Sequence, residues 1–233
     1  MRNYVIINGV NSLTINGLAI KELPPISKPL MRATLETIDG RDGDITTYLG
    51  YSAYDKEMEI GLFGNYDINN IIAFFNQEGT IVFSDEPDKY YYFKIINQVD
   101  YDKMIKFRTA KVTFHCQPFK YKLNETPITL DEGDNTVNNE GNIYAKPILN
   151  IEGSGVIEIG LNNNQIFAID LGEGEEITID TSKLEAYNPT TTTLMNRQVI
   201  GDYDAFKLDV GNNTVSLTGS IESAEISYYS RWL

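Results

Sequence analysis

The sequence has 233 residues, of which 42% are hydrophobic and 22% are charged, and its formal net charge is −14. These values are typical of a folded protein and argue against a disordered chain. Because affinity for phosphates comes from clustered Lys and Arg side chains, so acidic a chain is not expected to bind nucleic acid. A single His and a single Cys also exclude an internal disulfide and a closed zinc or haem site.

Charge is divided unevenly along the chain. Residues 1–122 carry fourteen Lys and Arg against fifteen Asp and Glu, whereas residues 123–233 carry five against eighteen. This split predicts two folded domains with different neighbours, residues 1–122 and residues 147–233, joined by a junction at 123–146.

The beginning of the chain contains no predicted export signal, since Asn8 and Gly9 interrupt its apolar run. No stretch reaches the roughly 20 apolar residues that are needed to cross a bilayer. We therefore expect a protein that folds in a reducing cytoplasm and does not insert into a membrane.

Short runs of Val, Ile, Thr, Tyr and Phe between turn-forming pairs predict a mainly β protein. In residues 1–122 the predicted strands are Tyr4–Ile7, Leu13–Ile15, Ala33–Ile38, Thr80–Phe83, Tyr90–Asn97 and Lys111–Gln117.

One helix interrupts this pattern. It is predicted to begin at the capping residue Asp67 and to end before Gly79, which can adopt the left-handed conformation. Its predicted apolar stripe, which should pack on the sheet, consists of Ile68, Ile71, Ile72 and Phe75.

The second half predicts an antiparallel β-sandwich, because seven strand candidates follow one another without a helical period. The candidates are Ile148–Glu152, Val156–Leu161, Gln165–Asp170, Glu176–Asp180, Ala205–Leu208, Asn213–Thr218 and Ser223–Tyr229. Gly153-Ser154-Gly155 is interpreted as a hairpin turn and not as a phosphate-binding loop. A short strand is also expected near Ile128–Leu130.

His115 and Cys116 are adjacent, which suggests a nucleophile and its base. The predicted strand places Val112, Phe114 and Cys116 on one face and His115 on the other, so the pair cannot form a dyad. We interpret Cys116 as a buried apolar residue and His115 as a surface residue.

Two acidic segments, residues 131–134 and 173–176, could bind calcium, but neither has the ligand spacing of an EF-hand loop. We interpret them as solvated turns and predict no metal and no cofactor. In Tyr90-Tyr91-Tyr92-Phe93, two rings should enter the core while two face outward toward another chain.

Trp232, the only Trp, leaves a carbohydrate-binding adhesion module as an alternative function. A glycoside hydrolase would need a pair of carboxylates in a cleft, and the sequence does not single out such a pair. We therefore predict no catalytic residue.

Several segments resemble, in their order and spacing, the distal tail proteins of siphophages. These segments are Ile38-Asp39-Gly40-Arg41-Asp42-Gly43-Asp44, residues 112–119, Asn139-Glu140-Gly141, Ala145-Lys146-Pro147-Ile148, Gly211-Asn212-Asn213 and residues 228–232. The resemblance covers essentially the whole chain.

The resemblance implies a split-barrel-like N-terminal domain that assembles into a hexameric ring, and a galectin-like C-terminal sandwich that points outward. It implies a structural baseplate hub without enzymatic activity, located in the virion tail of a phage or prophage and assembled in the host bacterial cytoplasm. The implied partners are the tail tube protein, the tail-associated lysin or tip protein, and peripheral receptor-binding proteins. DNA would pass through the central channel without specific binding.

Arg41, Asp42 and Asp44 are interpreted as a turn that reaches a neighbouring subunit of such a ring, with an ordinary solvated turn as the alternative. Head-to-tail contacts of this kind require two different surfaces on each copy, and the near-neutral first half is suited to them.

Overall fold

The computed structural model describes residues 2–96 and 105–233. The chain divides into two compact units, one formed by Met1–Leu123 with Leu233 and the other by Asn124–Trp232. Strands dominate both units, so the prediction of a mainly β protein is confirmed. Residues 105–107 are helical in addition to the one helix that was predicted.

The first unit contains an antiparallel sheet, in which the strand order differs from the order along the chain, and a separate hairpin. Its strands are β1 (Val5–Ile7), β2 (Val10–Asn11), β3 (Leu18–Glu22), β4 (Met31–Thr37), β5 (Asp44–Tyr51), β6 (Tyr54–Leu62), β7 (Gly79–Phe83), β8 (Lys89–Lys94) and β9 (Thr109–Lys122). Seven of them form the sheet in the order β2-β1-β7-β8-β9-β6-β3, while β4 pairs only with β5 among the described residues.

The helix α1 (Ile68–Phe75) covers the apolar face of this sheet. The Asp67 side chain accepts hydrogen bonds from the backbone N–H groups of Asn69 and Asn70, which confirms the predicted cap. Phe74 is buried and Ile72 is only half-buried, so the stripe is rotated slightly from the predicted one.

Two predictions at element ends were wrong in this unit. Residues 12–14 form a 3-10 helix and not a strand, because the Asn11 side chain accepts a hydrogen bond from the N–H of Leu13 and turns the chain. The helix ends at Phe75, so Gly79 does not cap it but opens β7 with a φ of +138°. Asn97, the last residue of a predicted strand, lies outside the described residues.

The second unit is a single antiparallel sheet. Its strands are β10 (Ile128–Thr129), β11 (Gly133–Asn139), β12 (Ile148–Leu161), β13 (Asn164–Asp180), β14 (Glu185–Tyr187), β15 (Val199–Gly201) and β16 (Gly211–Ser227). The short strand β17 (Arg231–Trp232) is not part of this sheet. The main order is β10-β16-β12-β13-β14, with β11 also paired to β16 and β15 to β13. Residues 123–146 thus contribute two strands to this sheet.

Six of the seven strand candidates in this half merge into three long strands, β12, β13 and β16. Gly153-Ser154-Gly155 is a bulge inside β12 and not a hairpin turn, with a register shift between Gly153 and Gly155. Gly155 has a φ of +69°, which favours glycine. Ala205–Leu208 is not a strand, and only Leu208 forms a bridge, to Ala145.

The core of the second unit lies inside this sheet. Leu149 and Ile151, before the bulge, belong to the same buried cluster as Ile157 and Ile159, after it. All residues of this unit are described and none lies in an α-helix, so the sheet itself must curl around the cluster to bury it. The antiparallel arrangement that the sequence predicted is confirmed.

Candidate assembly surface

The hairpin β4–β5 lies outside the core of the unit that carries it. Every residue of β4 is exposed, and no residue of β5 is buried. An isolated two-stranded hairpin is at best marginally stable in water, because it has no sheet or helix to cover its apolar face. The hairpin is therefore the part of the first unit that most needs a partner.

The base of the hairpin contacts the sheet at β9. The backbone N–H of Ser52 donates to the carbonyl of Leu30 at 2.9 Å, which extends the pairing of β4 with β5 by one residue pair. The Tyr51 ring at the end of β5 contacts the Phe119 ring of β9 edge-on at 5.6 Å. The ring contact therefore joins the hairpin to the sheet, while the strands themselves are exposed.

A buried lysine also binds the segment that leads into the hairpin. The sequence patterns did not predict this buried lysine. Lys56 is 3% exposed, and its Nζ donates to the carbonyl of Pro25 at 3.0 Å. Its Nζ lies 5.0 Å from the centre of the Tyr91 ring, and burial lowers the pKa of Lys56. Tyr54, Met58 and Ile60 alternate with charged residues as in a strand, but the charged Lys56 at one of the inward positions obscures this signal.

The two faces of the hairpin differ in character. Leu35 lies opposite Thr46, and Ala33 opposite Tyr48, whereas Glu36 lies opposite Ile45. Because directly opposed residues share a face and successive residues alternate, Leu35, Tyr48 and Asp44 lie on one side, whereas Glu36 and Ile45 lie on the other. Leu35 is 63% exposed and Tyr48 is 70% exposed, so the apolar face is open to solvent.

The predicted contact residues Arg41, Asp42 and Asp44 lie at the tip of this hairpin. The N–H of Arg41 donates to the carbonyl of Ile38 at 3.1 Å, and the Thr37 hydroxyl donates to the Asp44 carboxylate at 3.0 Å. The turn is therefore ordered, and all three side chains are exposed. The three residues therefore lie together at the tip of the hairpin. Their contact with a neighbouring subunit stays a prediction.

The aromatic run on β8 divides between two faces, but only one of the two rings that were expected to face outward is exposed. Tyr91 and Phe93 belong to the core cluster. Tyr90 and Tyr92 contact the Tyr121 ring, at centroid distances of 5.5 and 5.3 Å. Of these two rings, Tyr92 is 43% exposed, whereas Tyr90 is only 7% exposed.

His115 and Cys116 lie on opposite faces of β9, as the sequence predicted. Cys116 is fully buried, and burial raises the pKa of its thiol to about 12, which keeps it protonated at neutral pH. His115 instead lies 2.8 Å from the Asp55 carboxylate through its Nδ1. The arrangement cannot generate a thiolate nucleophile from this pair.

The second unit contains a groove of about 410 Å³ with several carboxylates on its rim. Glu152 and Glu176 lie opposite each other on β12 and β13, and they accept hydrogen bonds from the hydroxyls of Ser223 and Thr190. None of the described residues that line the groove is aromatic, so it offers no ring on which a sugar could stack.

Within residues 2–96 and 105–233, no group of three or more His, Cys, Asp or Glu side chains is arranged to hold a metal ion. In the same ranges, no helix has the length and apolar character required to span a bilayer.

Comparison with solved structures identifies a protein with the same β-rich fold. The chain shares its fold with the SPP1 Dit (gp 19.1) protein, described as a paradigm of the hub adsorption apparatus in phages that infect Gram-positive bacteria. The match has a TM-score of 0.69 at 17% sequence identity and covers 100% of both chains. The resemblance to distal tail proteins is therefore confirmed at the level of the fold.

Two further matches are chains of the phage p2 baseplate in its activated conformation. The structure with Sr gives a TM-score of 0.47 at 11% identity, covering 98% of this chain and 97% of the other. The structure with Ca gives 0.43 at 12% identity, covering 98% of both. No protein-family model and no curated protein matches the sequence.

Proposed function

We propose that the protein is a structural hub of a phage tail tip, a distal tail protein that assembles as a hexameric ring. The observation that carries this proposal is the fold shared with SPP1 Dit over the full length of both chains. In this proposal the first unit, residues 1–122 of the predicted division, forms the ring.

The charges of the two units support this division of labour. The first half of the chain is nearly neutral, so copies can approach one another without strong repulsion, whereas the second half is strongly acidic. We infer that the second unit, a galectin-like domain, lies at the periphery and carries receptor-binding proteins. The ring would connect the tail tube protein to the tail-associated lysin or tip protein.

The proposal includes no enzymatic activity and no cofactor. The only Cys is a buried, protonated thiol, and DNA would pass through the ring without specific binding, because the nearly neutral first unit offers no excess of Lys and Arg to the phosphates. The carbohydrate-binding alternative rested on Trp232, and no observation of the second unit favours it over the hub.

Light scattering of the purified protein tests the proposal. A ring of six copies has six times the chain mass of 26.3 kDa. We expect this mass for the protein alone, or a heavier complex that contains six copies of it after addition of the tail tube and tip proteins. A chain that stays monomeric and binds neither protein would contradict the proposed function.

A further inference from the structure

We propose that the apolar face of the β4–β5 hairpin docks on a second copy of this chain, against a basic and aromatic patch on the first unit. The patch consists of Arg2, Phe63 and residues 105–108. This inference rests on the proposed function and deepens it, because it names the two surfaces through which neighbouring copies would join.

The residues of the patch lie around the paired ends of β6 and β9, where Gly61 lies opposite Thr109. The N–H of Leu62 donates to the carbonyl of Arg108 at 3.0 Å, which places Phe63 beside the start of β9. The Arg2 guanidinium lies 5.1 Å from the centre of the Phe63 ring, and Lys106 Nζ lies 5.4 Å from that of Phe107. Phe107 is 62% exposed, so its ring is open to solvent.

The hairpin and the patch have complementary charges. The segment from Glu36 to Asp44 contains four carboxylates and one Arg, whereas the patch contributes Arg2, Lys106 and Arg108. Both surfaces also expose large apolar side chains. Acidic and apolar groups on one surface thus match basic and aromatic groups on the other, and such matching selects a partner and its orientation.

A second copy is the partner that this arrangement favours. Hairpin and patch are exposed at the same time in one chain, so the chain does not satisfy them internally. Each copy can then use its hairpin on one neighbour and its patch on the other. Contacts between two different surfaces are the kind that generate rings when the rotation closes.

Site-directed cross-linking tests the contact. Two single variants, Leu35→Cys and Phe107→Cys, are purified, mixed and treated with a short bismaleimide. We expect dimers that join the two variants. The matched control replaces Leu35→Cys by Thr34→Cys, on the opposite face of the same strand, and should yield at least tenfold fewer dimers. The native Cys116 is fully buried and contributes little background.

Each outcome of this experiment decides between the inference and the function on which it rests. A ring-sized wild-type assembly without excess 35–107 cross-links would overturn the docking contact and leave the hub function standing. A cross-link from position 35 to a tail tube or tip protein only would overturn the choice of a second copy. Monomers without cross-links, alone and with those proteins, would overturn both.

Charge reversal gives a second test that does not depend on cross-linking chemistry. Asp42→Arg and Arg108→Asp should each weaken self-association at least tenfold. An equal mixture of the two variants should recover it, because each altered surface then meets its complement on the neighbouring copy. Failure of the mixture to associate better than either variant alone would contradict the pairing.

Discussion

The two units of the chain treat their apolar residues differently. The second unit curls one sheet around a single cluster, and its long strands contribute to the cluster from both ends. The first unit buries one face of its sheet under α1 but leaves the whole β4–β5 hairpin outside the cluster. The difference separates the regions that are stabilised within the chain from a hairpin that we propose a second copy covers.

The largest expected effect on stability is that of a substitution in the core of the first unit, compared with one in its hairpin. Phe114 is fully buried and contacts the rings of Phe75, Phe83 and Phe93. Phe114→Ala should lower the free energy of unfolding of this unit by about 3–5 kcal/mol, since it removes a large core side chain. Regional hydrogen exchange, followed by mass spectrometry, measures this loss.

The control for that substitution is Leu35→Ala in the exposed hairpin. In the unassembled chain, Leu35→Ala should change the free energy of unfolding by less than about 0.5 kcal/mol, because the Leu35 side chain is exposed and is not part of the core cluster. A cost similar to that of Phe114→Ala would show that the hairpin is part of the core, which would remove the contrast between the two regions.

The next effect tests whether the second unit is stabilised from within. The Glu125 carboxylate accepts hydrogen bonds from the N–H of Ser230 at 2.6 Å and from its hydroxyl at 2.8 Å, and Ser230 is fully buried. Glu125→Ala should destabilise the second unit by about 1–3 kcal/mol, because two buried donors lose their acceptor. Exchange in the first unit should stay unchanged.

Glu132→Ala is the matched control, since Glu132 is an exposed carboxylate of the same unit. Its effect on hydrogen exchange should be close to zero. Equal effects of the two substitutions would mean that net charge, and not the hydrogen bonds to Ser230, determines the stability of this unit.

A pH dependence follows from Cys116 in the first unit. Burial raises the pKa of its thiol from 9.0 to about 12, so the folded state holds the proton that the unfolded state releases. The resulting stabilisation is complete below pH 9 and is lost progressively toward pH 12. Between pH 8 and 10 the expected loss is about 1 kcal/mol.

Urea unfolding of the wild type and of Cys116→Ala at both pH values isolates this contribution. The variant should lose about 1 kcal/mol less than the wild type over that interval, while other groups titrate equally in both. Parallel pH profiles for the two proteins would contradict the buried, neutral thiol.

An effect of similar size concerns the cap of α1. Asp67→Ala should lower the stability of the first unit by about 0.5–2 kcal/mol, because the N–H groups of Asn69 and Asn70 lose their acceptor. Asn69→Ala, which leaves the Asp67 carboxylate in place, should cost less. Thermal unfolding of the two variants measures the difference.

Local sequence patterns predicted the elements that have a local cause. The cap at Asp67 and the alternation of Val112, Phe114 and Cys116 depend on neighbouring residues alone, and the structure confirms both. The long strands of the second unit were not predicted, because Gly153 and Gly155 give the same sequence signal for a turn as for a bulge.

The candidate surface could be predicted only in part. The turn with Arg41, Asp42 and Asp44 was recognised, but β5 and β6 were missed. The pattern of β6 places the charged Lys56 at a buried position, which hides the strand from a hydrophobicity pattern. The apolar face of the hairpin resembles a core face in sequence, and only the structure shows that no core covers it.

Electron microscopy of the purified full-length protein tests the central claim most directly. The account predicts annular particles with sixfold symmetry, formed by the protein alone or together with the tail tube and tip proteins. It also predicts that charge reversal at Asp42 disperses these particles and that the complementary variant at Arg108 restores them. Uniform single-chain particles under all of these conditions would contradict it.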